Sequence, residues 1–305
     1  MSYIVRQTLA LVAGLTILSG YAQNITILAT RGDVQVEQGG VWAKAVTGMK
    51  LTEQQKIRLG PQSYVALVFP GNKTRELRQS GTYTLAELLA QRGPAADDNP
   101  YVSRYTGYVI SQAVASSGGR ASGKTLGAVT RSTMAPTPRV PAQSLFYADR
   151  VQLHWDRVPG SEGYIVEILD EAAQVIHTQE ASADQTSVEI NLEQKLKPGA
   201  CYYWRVSTRR HASLRSTGLC LRVLPAERAA ALKKEEENLR RSVDLNTAVG
   251  QAILGAFYEQ NGLFGYAWNA YQQAVALEPG AEGYVALRDG LAQRALTLHQ
   301  TSVTE

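Results

Sequence analysis

The sequence predicts a multidomain protein, mainly β in its N-terminal two-thirds and all-α at its C-terminal end. Three observations carry this. Short runs before residue 90, and again between 146 and 225, alternate apolar and polar residues, with Gly or Pro turn signals about every ten residues. From Ala226 onward the apolar residues recur at helical spacing. Between the two β regions lies a stretch rich in Gly, Ser, Thr and Pro, the composition of a linker. The expected divisions are a signal segment (1–22), a β domain (23–90), a linker holding a short helix or strand (91–145), a second β domain (146–225) and a helical domain (226–305).

The chain has 305 residues, 44% hydrophobic and 19% charged, a globular composition that allows two or three domains. A net charge of +4, spread along the chain, lacks the dense Lys/Arg face of a nucleic-acid interface. It suits a protein that meets anionic surfaces. The first residues, "MSYIVRQTLALVAGLTILSGYAQ", place one charge at Arg6 before an apolar run from Leu9 to Leu18 and then small residues. This is the order of a secretory signal, with cleavage expected after Ala22 and Gly20 at the other small-residue position. The run is shorter than the about 20 residues that a span needs. An uncleaved anchor is the alternative. No cysteine sits at the cleavage site, so no lipid anchor is expected there, and the protein is expected to be periplasmic or secreted.

The first β region reads strand by strand. "GDVQVEQ" alternates about Val34 and Val36, Gly48 and Gly60 supply turns, "SYVALVF" is an apolar strand closed by "PGN", and "TRELRQSGTYTL" alternates once more. "LAELLAQ" starts a helix. Gly32-Asp33-Val34-Gln35-Val36, then Ala45, Gly48 with Leu51, Ile57 with Gly60, and Ser63 with Val65 and Leu67 resemble the FecR domain. The resemblance covers about a fifth of the chain. It implies a small β domain of periplasmic signalling proteins. No counterpart of that family's cytoplasmic anti-sigma segment or membrane span is expected here.

In residues 91–145, "GPAADDNP" breaks the chain and "YVSRYTGYVISQAV" forms a short helix or strand. The following "ASSGGRASGKTLGAVTRSTMAPTPRVPAQ" contains Gly118, Gly123, Lys124 and Thr125 at the spacing of a phosphate-cradling loop. Such a loop must follow a strand and open a helix. Pro136, Pro138 and Pro141 follow too soon for a helix of useful length, so a nucleotide-binding enzyme is a remote alternative to a linker.

The second β region places Val151, Leu153 and Trp155 on one face of a strand and Tyr164, Val166 and Ile168 on one face of the next. Trp155 together with "LKPGACYYWRV" resembles a fibronectin type III-like sandwich over the whole segment, which implies that Tyr202, Trp204 and Val206 face inward. Cys201 and, on the last strand, Cys220 then face outward as cross-strand neighbours. A Cys201–Cys220 disulfide is expected, with two free thiols as the alternative.

In the helical region, Glu236 with Arg240 and Glu237 with Arg241 pair at i,i+4 and read as a solvated face. "AVGQAILGAFYEQNGLFGYAWNAYQQAVALEPGA" (248–281) resembles a tetratricopeptide repeat, a 34-residue helix pair. Leu254, Gly255 and Tyr258 fit its first helix, Gly262 its turn, Phe264, Ala267, Tyr271 and Ala274 its second helix, and Pro279 its end. Gln251 departs from the large apolar residue the family favours. The resemblance implies a peptide- or protein-binding groove faced by Val249, Ala252, Ala256, Glu259 and Gln260, with Tyr258, Tyr271 and Trp268 in the core.

His154, His177, His211 and His299 are scattered without metal-ligand spacing, and no G-x-S-x-G elbow occurs. No cofactor is expected. Arg209, Arg210, His211 and Arg215 cluster in one hairpin loop, where an anionic glycan or phosphate would suit them; the alternative is a solubilising loop. The expected function is a non-enzymatic exported scaffold or adaptor of a bacterial cell envelope, binding a protein or peptide partner through the helices. The alternative is binding of cell-wall or anionic polysaccharide through the β domains.

Overall fold

The computed structural model describes residues 24–91, 100–118, 135–139, 144–192 and 196–302. Its N-terminal two-thirds is rich in β-sheet and its C-terminal third is helical. Strands β1 (Ile25–Arg31), β2 (Val34–Gln38), β3 (Val41–Lys44), β4 (Lys50–Leu51), β5 (Lys56–Leu59), β6 (Tyr64–Val68), β7 (Thr74–Leu77) and β8 (Gly81–Thr84) precede a short helix α1 (Leu85–Ala90). They form two sheets, ordered β4-β1-β6-β7 and β3-β2-β5-β8. Ile27, Val34, Val36, Ile57, Val65 and Leu67 fill the space between them. The turn after β1 needs glycine at 32, because its φ is +77° and a Cβ there would lie 2.7 Å from Ser63 Oγ. Strand β6 is buried along its whole length. Its "YVALV" run is apolar on both faces because Tyr64, Ala66 and Val68 meet a second core on the far side of the sheet.

That second core begins in the expected linker. Residues Pro100–Gly118 form a 19-residue helix, α2. Val102, Tyr105, Val109 and Ala113 recur at helical spacing and are all buried. Further on, Thr137 and Arg139 exchange backbone hydrogen bonds with Asp156 and His154, so part of the Pro-rich segment extends a sheet edge. Of the phosphate-loop pattern, Gly118 is the last residue of α2, while Gly123, Lys124 and Thr125 lie outside the described residues. The expected signal segment 1–22 lies outside them too.

The second β unit contains β9 (Leu145–Phe146), β10 (Arg150–His154), β11 (Tyr164–Leu169), β12 (Val175–Ala181), β13 (Ser187–Asn191), β14 (Cys201–Thr208) and β15 (Leu219–Val223). A five-stranded sheet, β12-β11-β14-β15-β9, packs on the β10-β13 pair. Trp155, Tyr164, Val166, Trp204, Val206 and Leu221 are buried between them, on the faces that the alternation assigns. Strand β10 departs from one-sided burial. Gln152 and His154, which alternation would place in solvent, are buried as well, because a helix covers that face. Cys201 and Cys220 are joined, with Cα atoms 6.1 Å apart. The bridge runs diagonally, since Cys220 stands opposite Tyr203 and Cys201 opposite Arg222.

Four helices follow: α3 (Ala226–Ser242), α4 (Ala248–Gln260), α5 (Phe264–Leu277) and α6 (Glu282–Ser302). Thr247 caps α4, its hydroxyl accepting from the Gly250 amide at 3.0 Å. Gln251 donates to the Leu245 carbonyl at 2.7 Å, tying down the loop between α3 and α4. Helices α4 and α5 approach closely at Gly255, where a Cβ would lie 2.4 Å from the Tyr271 ring. Two further glycines let helices touch strands. A Cβ at Gly265 would stand 2.5 Å from the Gln152 carbonyl oxygen of β10, and one at Gly283 would stand 2.6 Å from that of Leu28 in β1. The helical layer, joined by α2, is therefore wedged between the two β units, and one apolar core runs through all three. Among the described residues, no helix is long and apolar enough to cross a membrane.

Candidate functional site

The residues expected to face a partner groove are covered by the chain itself. Val249, Ala252, Ala256 and Glu259 are buried, and Gln260 is half-buried. Helices α2 and α6 lie over this face of α4. Glu259 is fully enclosed. Its carboxylate accepts from Arg294 of α6 at 2.6 and 3.0 Å, from Tyr108 of α2 at 2.9 Å and from Tyr271 of α5 at 2.7 Å. Arg104 of α2 donates to Gln260 at 3.1 Å. Burial alone would lower the Arg294 guanidinium, but Glu259 outweighs it and the net shift is upward. Four of the five are therefore enclosed within the chain, Glu259 by side chains of α2, α5 and α6, which corrects the expected open groove; residues 100–118 carry an apolar stripe of their own that joins the same core.

Of the two i,i+4 pairs of α3, Glu237–Arg241 lies on a solvated face as expected, but Glu236–Arg240 does not. Glu236 is buried. It accepts from Tyr258 at 2.7 Å, Tyr147 at 3.1 Å, Arg240 at 2.9 Å and Arg150 of β10 at 3.2 Å. Burial pushes the Glu236 carboxyl up, but the Tyr258 hydrogen bond and the Arg150 and Arg240 charges overcome it, leaving it below the ordinary glutamate value. On the opposite seam, Glu278 sits between Arg31 (3.1 Å) and Arg78. Glu76 of β7 accepts from Tyr64 and from the Val249 amide at the start of α4, both at 2.9 Å. The hydroxyls of Tyr64 and Tyr284 meet at 2.9 Å. Each seam between helices and sheets thus carries a carboxylate held by arginine and tyrosine. Only the helical period of Glu236–Arg240 was visible in sequence; the partners come from other elements.

The hairpin-loop cations are largely compensated. Arg209 pairs with Glu180 at 2.7 Å and Arg210 with Glu162 at 3.1 Å, while His211 and Arg215 are exposed. The loop is no bare cationic cluster, because Glu180 of β12 and Glu162 of the turn before β11 pair with two of its arginines.

A cleft of about 420 Å³ opens where β10 meets α5 and α6. Its walls include Arg139, Arg157, Trp268, Asn269, Gln273 and Arg288. Trp268 is half-buried rather than a core residue, with the Arg139 guanidinium 5.6 Å from its ring centre. Behind it His154 is buried and its Nε2 meets the Gly265 carbonyl at 3.1 Å; burial pushes its ring down to about 4, so it is neutral at pH 7. No local signal marks this cleft, whose residues come from five separate stretches. Among the described residues, no group of three His, Cys, Asp or Glu side chains is placed to hold a metal ion.

No protein-family model matches the sequence, and no curated protein matches it. Among solved structures, the FN1–FN3 domains of chicken CNTN1 are 11% identical at a TM-score of 0.24, matching 67% of this chain and 55% of that one. The BSP domain of a biofilm-associated protein is 14% identical at a TM-score of 0.22, matching 67% of this chain and 25% of that one. The chain thus spans about half and a quarter of these two structures, and similarity at this level carries no argument about fold detail or function.

Proposed function

We propose that this chain is a non-enzymatic, exported scaffold of a bacterial cell envelope. In this reading a FecR-like β unit and a fibronectin type III-like sandwich are held in one fixed relation by a tetratricopeptide-like helix pair. The observation that carries it is the enclosed groove: Val249, Ala252, Ala256 and Glu259 are buried, with side chains of α2, α5 and α6 meeting on Glu259, and buried carboxylates tie the helices to both β units. Helices used in this way act as a joint, and binding of a protein partner passes to the outer surfaces of the β units. Val41 (67% exposed) on the first unit and Val175 and Ile176 (45% and 38%) on edge strand β12 are apolar residues left in solvent there. The secretory pattern of the first 22 residues and the Cys201–Cys220 bridge support an oxidising compartment.

The test is photo-crosslinking in cells from the full-length chain, with the reactive residue at Val41, at Ile176 or at Ala252. The reading expects a discrete protein adduct from one or both β positions and none from Ala252. Adducts from Ala252 alone would return binding to the groove and overturn it.

A further inference from the structure

The cleft between β10, α5 and α6 has a lining suited to a particular chemistry. Two of its three arginines are neutralised within it: Arg139 by Asp156, and Arg288 by Asp289 at 2.7 Å. Arg157 is exposed and makes no close ion pair among the described residues, although Asp184 lies near enough to feel its charge, so the cleft keeps one cation within reach of a ligand. His154 adds none, because it is buried on the Gly265 carbonyl. Around that charge stand side-chain amides and hydroxyls, Asn269, Gln273, Thr186 and Ser187 among them, each able to donate and accept. The Trp268 ring under the Arg139 guanidinium makes a flat wall. Trp155 adjoins the cleft, but its buried ring packs on Tyr164 between the two sheets of the sandwich. The volume lies within the range of small-ligand clefts.

We infer that this cleft binds a short oligosaccharide carrying a carboxylate, with Arg157 on the carboxylate, Trp268 against a sugar face and the amides on the hydroxyls. A planar apolar wall flanked by two-way hydrogen-bonding groups matches the alternating C–H and O–H surfaces of a sugar ring. A guanidinium without a close ion-pair partner favours an acidic glycan over a neutral one. The inference is independent of the scaffold reading, because it concerns a different surface and stands whether or not a protein partner exists.

Two of the four tryptophans line the cleft, so ligand entry is read by intrinsic fluorescence of the full chain, with calorimetry as the second measurement. The probes are tetragalacturonate, which is acidic, and chitotetraose, which is neutral. Tetragalacturonate is expected to give a saturable change that weakens as salt rises, with chitotetraose weaker. Arg157→Ala should reduce affinity about tenfold or more, the size of one charge-assisted hydrogen bond. Because Arg157 is exposed, its thermal melting should stay at the wild-type value. Trp268→Ala should weaken both probes. No saturable response to either sugar, equal affinity for both, or binding indifferent to Arg157→Ala and Trp268→Ala would each overturn the assignment.

Discussion

Glu259 is the position where a filled groove and an open one give opposite expectations. Replacing it with alanine removes a carboxylate that is 0% exposed and accepts four hydrogen bonds. Arg294, whose side chain is 14% exposed, is left as a buried, unpaired cation. Breaking such a pair costs about 3–5 kcal/mol. The Tyr271 hydroxyl also loses its acceptor, which adds about 1 kcal/mol, while partial access of Arg294 to water subtracts from the sum. The net loss is about 4 kcal/mol, or roughly 10 °C in melting temperature for a chain of this size. The assay is urea unfolding followed by far-ultraviolet circular dichroism on the full chain, with slope and midpoint fitted together. The double variant Glu259→Leu with Arg294→Met should recover most of the loss, since an apolar pair of similar volume replaces the buried ions. If α2 and α6 did not cover this face, Glu259 would stand in solvent and Glu259→Ala would cost less than about 1 kcal/mol. A loss that small refutes the account of the groove.

Acid should weaken the fold in two stages. Below about pH 6.5 the unfolded chain protonates His154 while the buried native ring, pushed down to about 4, does not, so stability falls between those values by on the order of 3 kcal/mol. The native carboxyl of Glu236 lies below its ordinary 4.5, so its contribution is complete above pH 4.5 and is lost as pH drops further. Urea midpoints from pH 7 to pH 3 should lose the first stage in His154→Gln and the second in Glu236→Gln. Gly283→Ala drives a methyl against the Leu28 carbonyl and should cost about 1–3 kcal/mol, whereas Gly107→Ala, with open space on the exposed side of α2, should gain about 0.5–1 kcal/mol; thermal melts of the two compare them directly. Replacing Cys201 and Cys220 together with alanine opens a loop spanning 19 residues and should cost about 3 kcal/mol, measured against the oxidised wild type by urea unfolding.

Much of the secondary structure was legible in the sequence. Period-two alternation located Val34 and Val36, Tyr164 to Ile168, and the inward set Tyr202, Trp204 and Val206, because a strand alternates its faces whatever covers them. The outward Cys201 and Cys220 follow from the same alternation, as does their bridge. Gly255 and Tyr271 announced a close helix pair through size alone. The helix at Pro100–Gly118 was less legible. Its buried face includes the polar Thr106, Gly107 breaks the run of helix formers, and the composition next to it is that of a linker.

The candidate site was hardly legible at all. Local pattern shows which residues share a face but not what that face meets. Glu259 looked like a groove residue until α2 and α6 brought Tyr108 and Arg294 to it, and Glu236 looked solvated until β10 brought Arg150. Trp268 looked like core and lines a cleft instead. What the sequence by itself determined is the set of elements and their apolar faces, since these follow from the period of the chain and the shape of each side chain. What only the tertiary structure decided is which carboxylates are buried, which groove is filled and which surface stays open. Those outcomes depend on partners 35 to 151 residues away, whose approach no local spacing encodes.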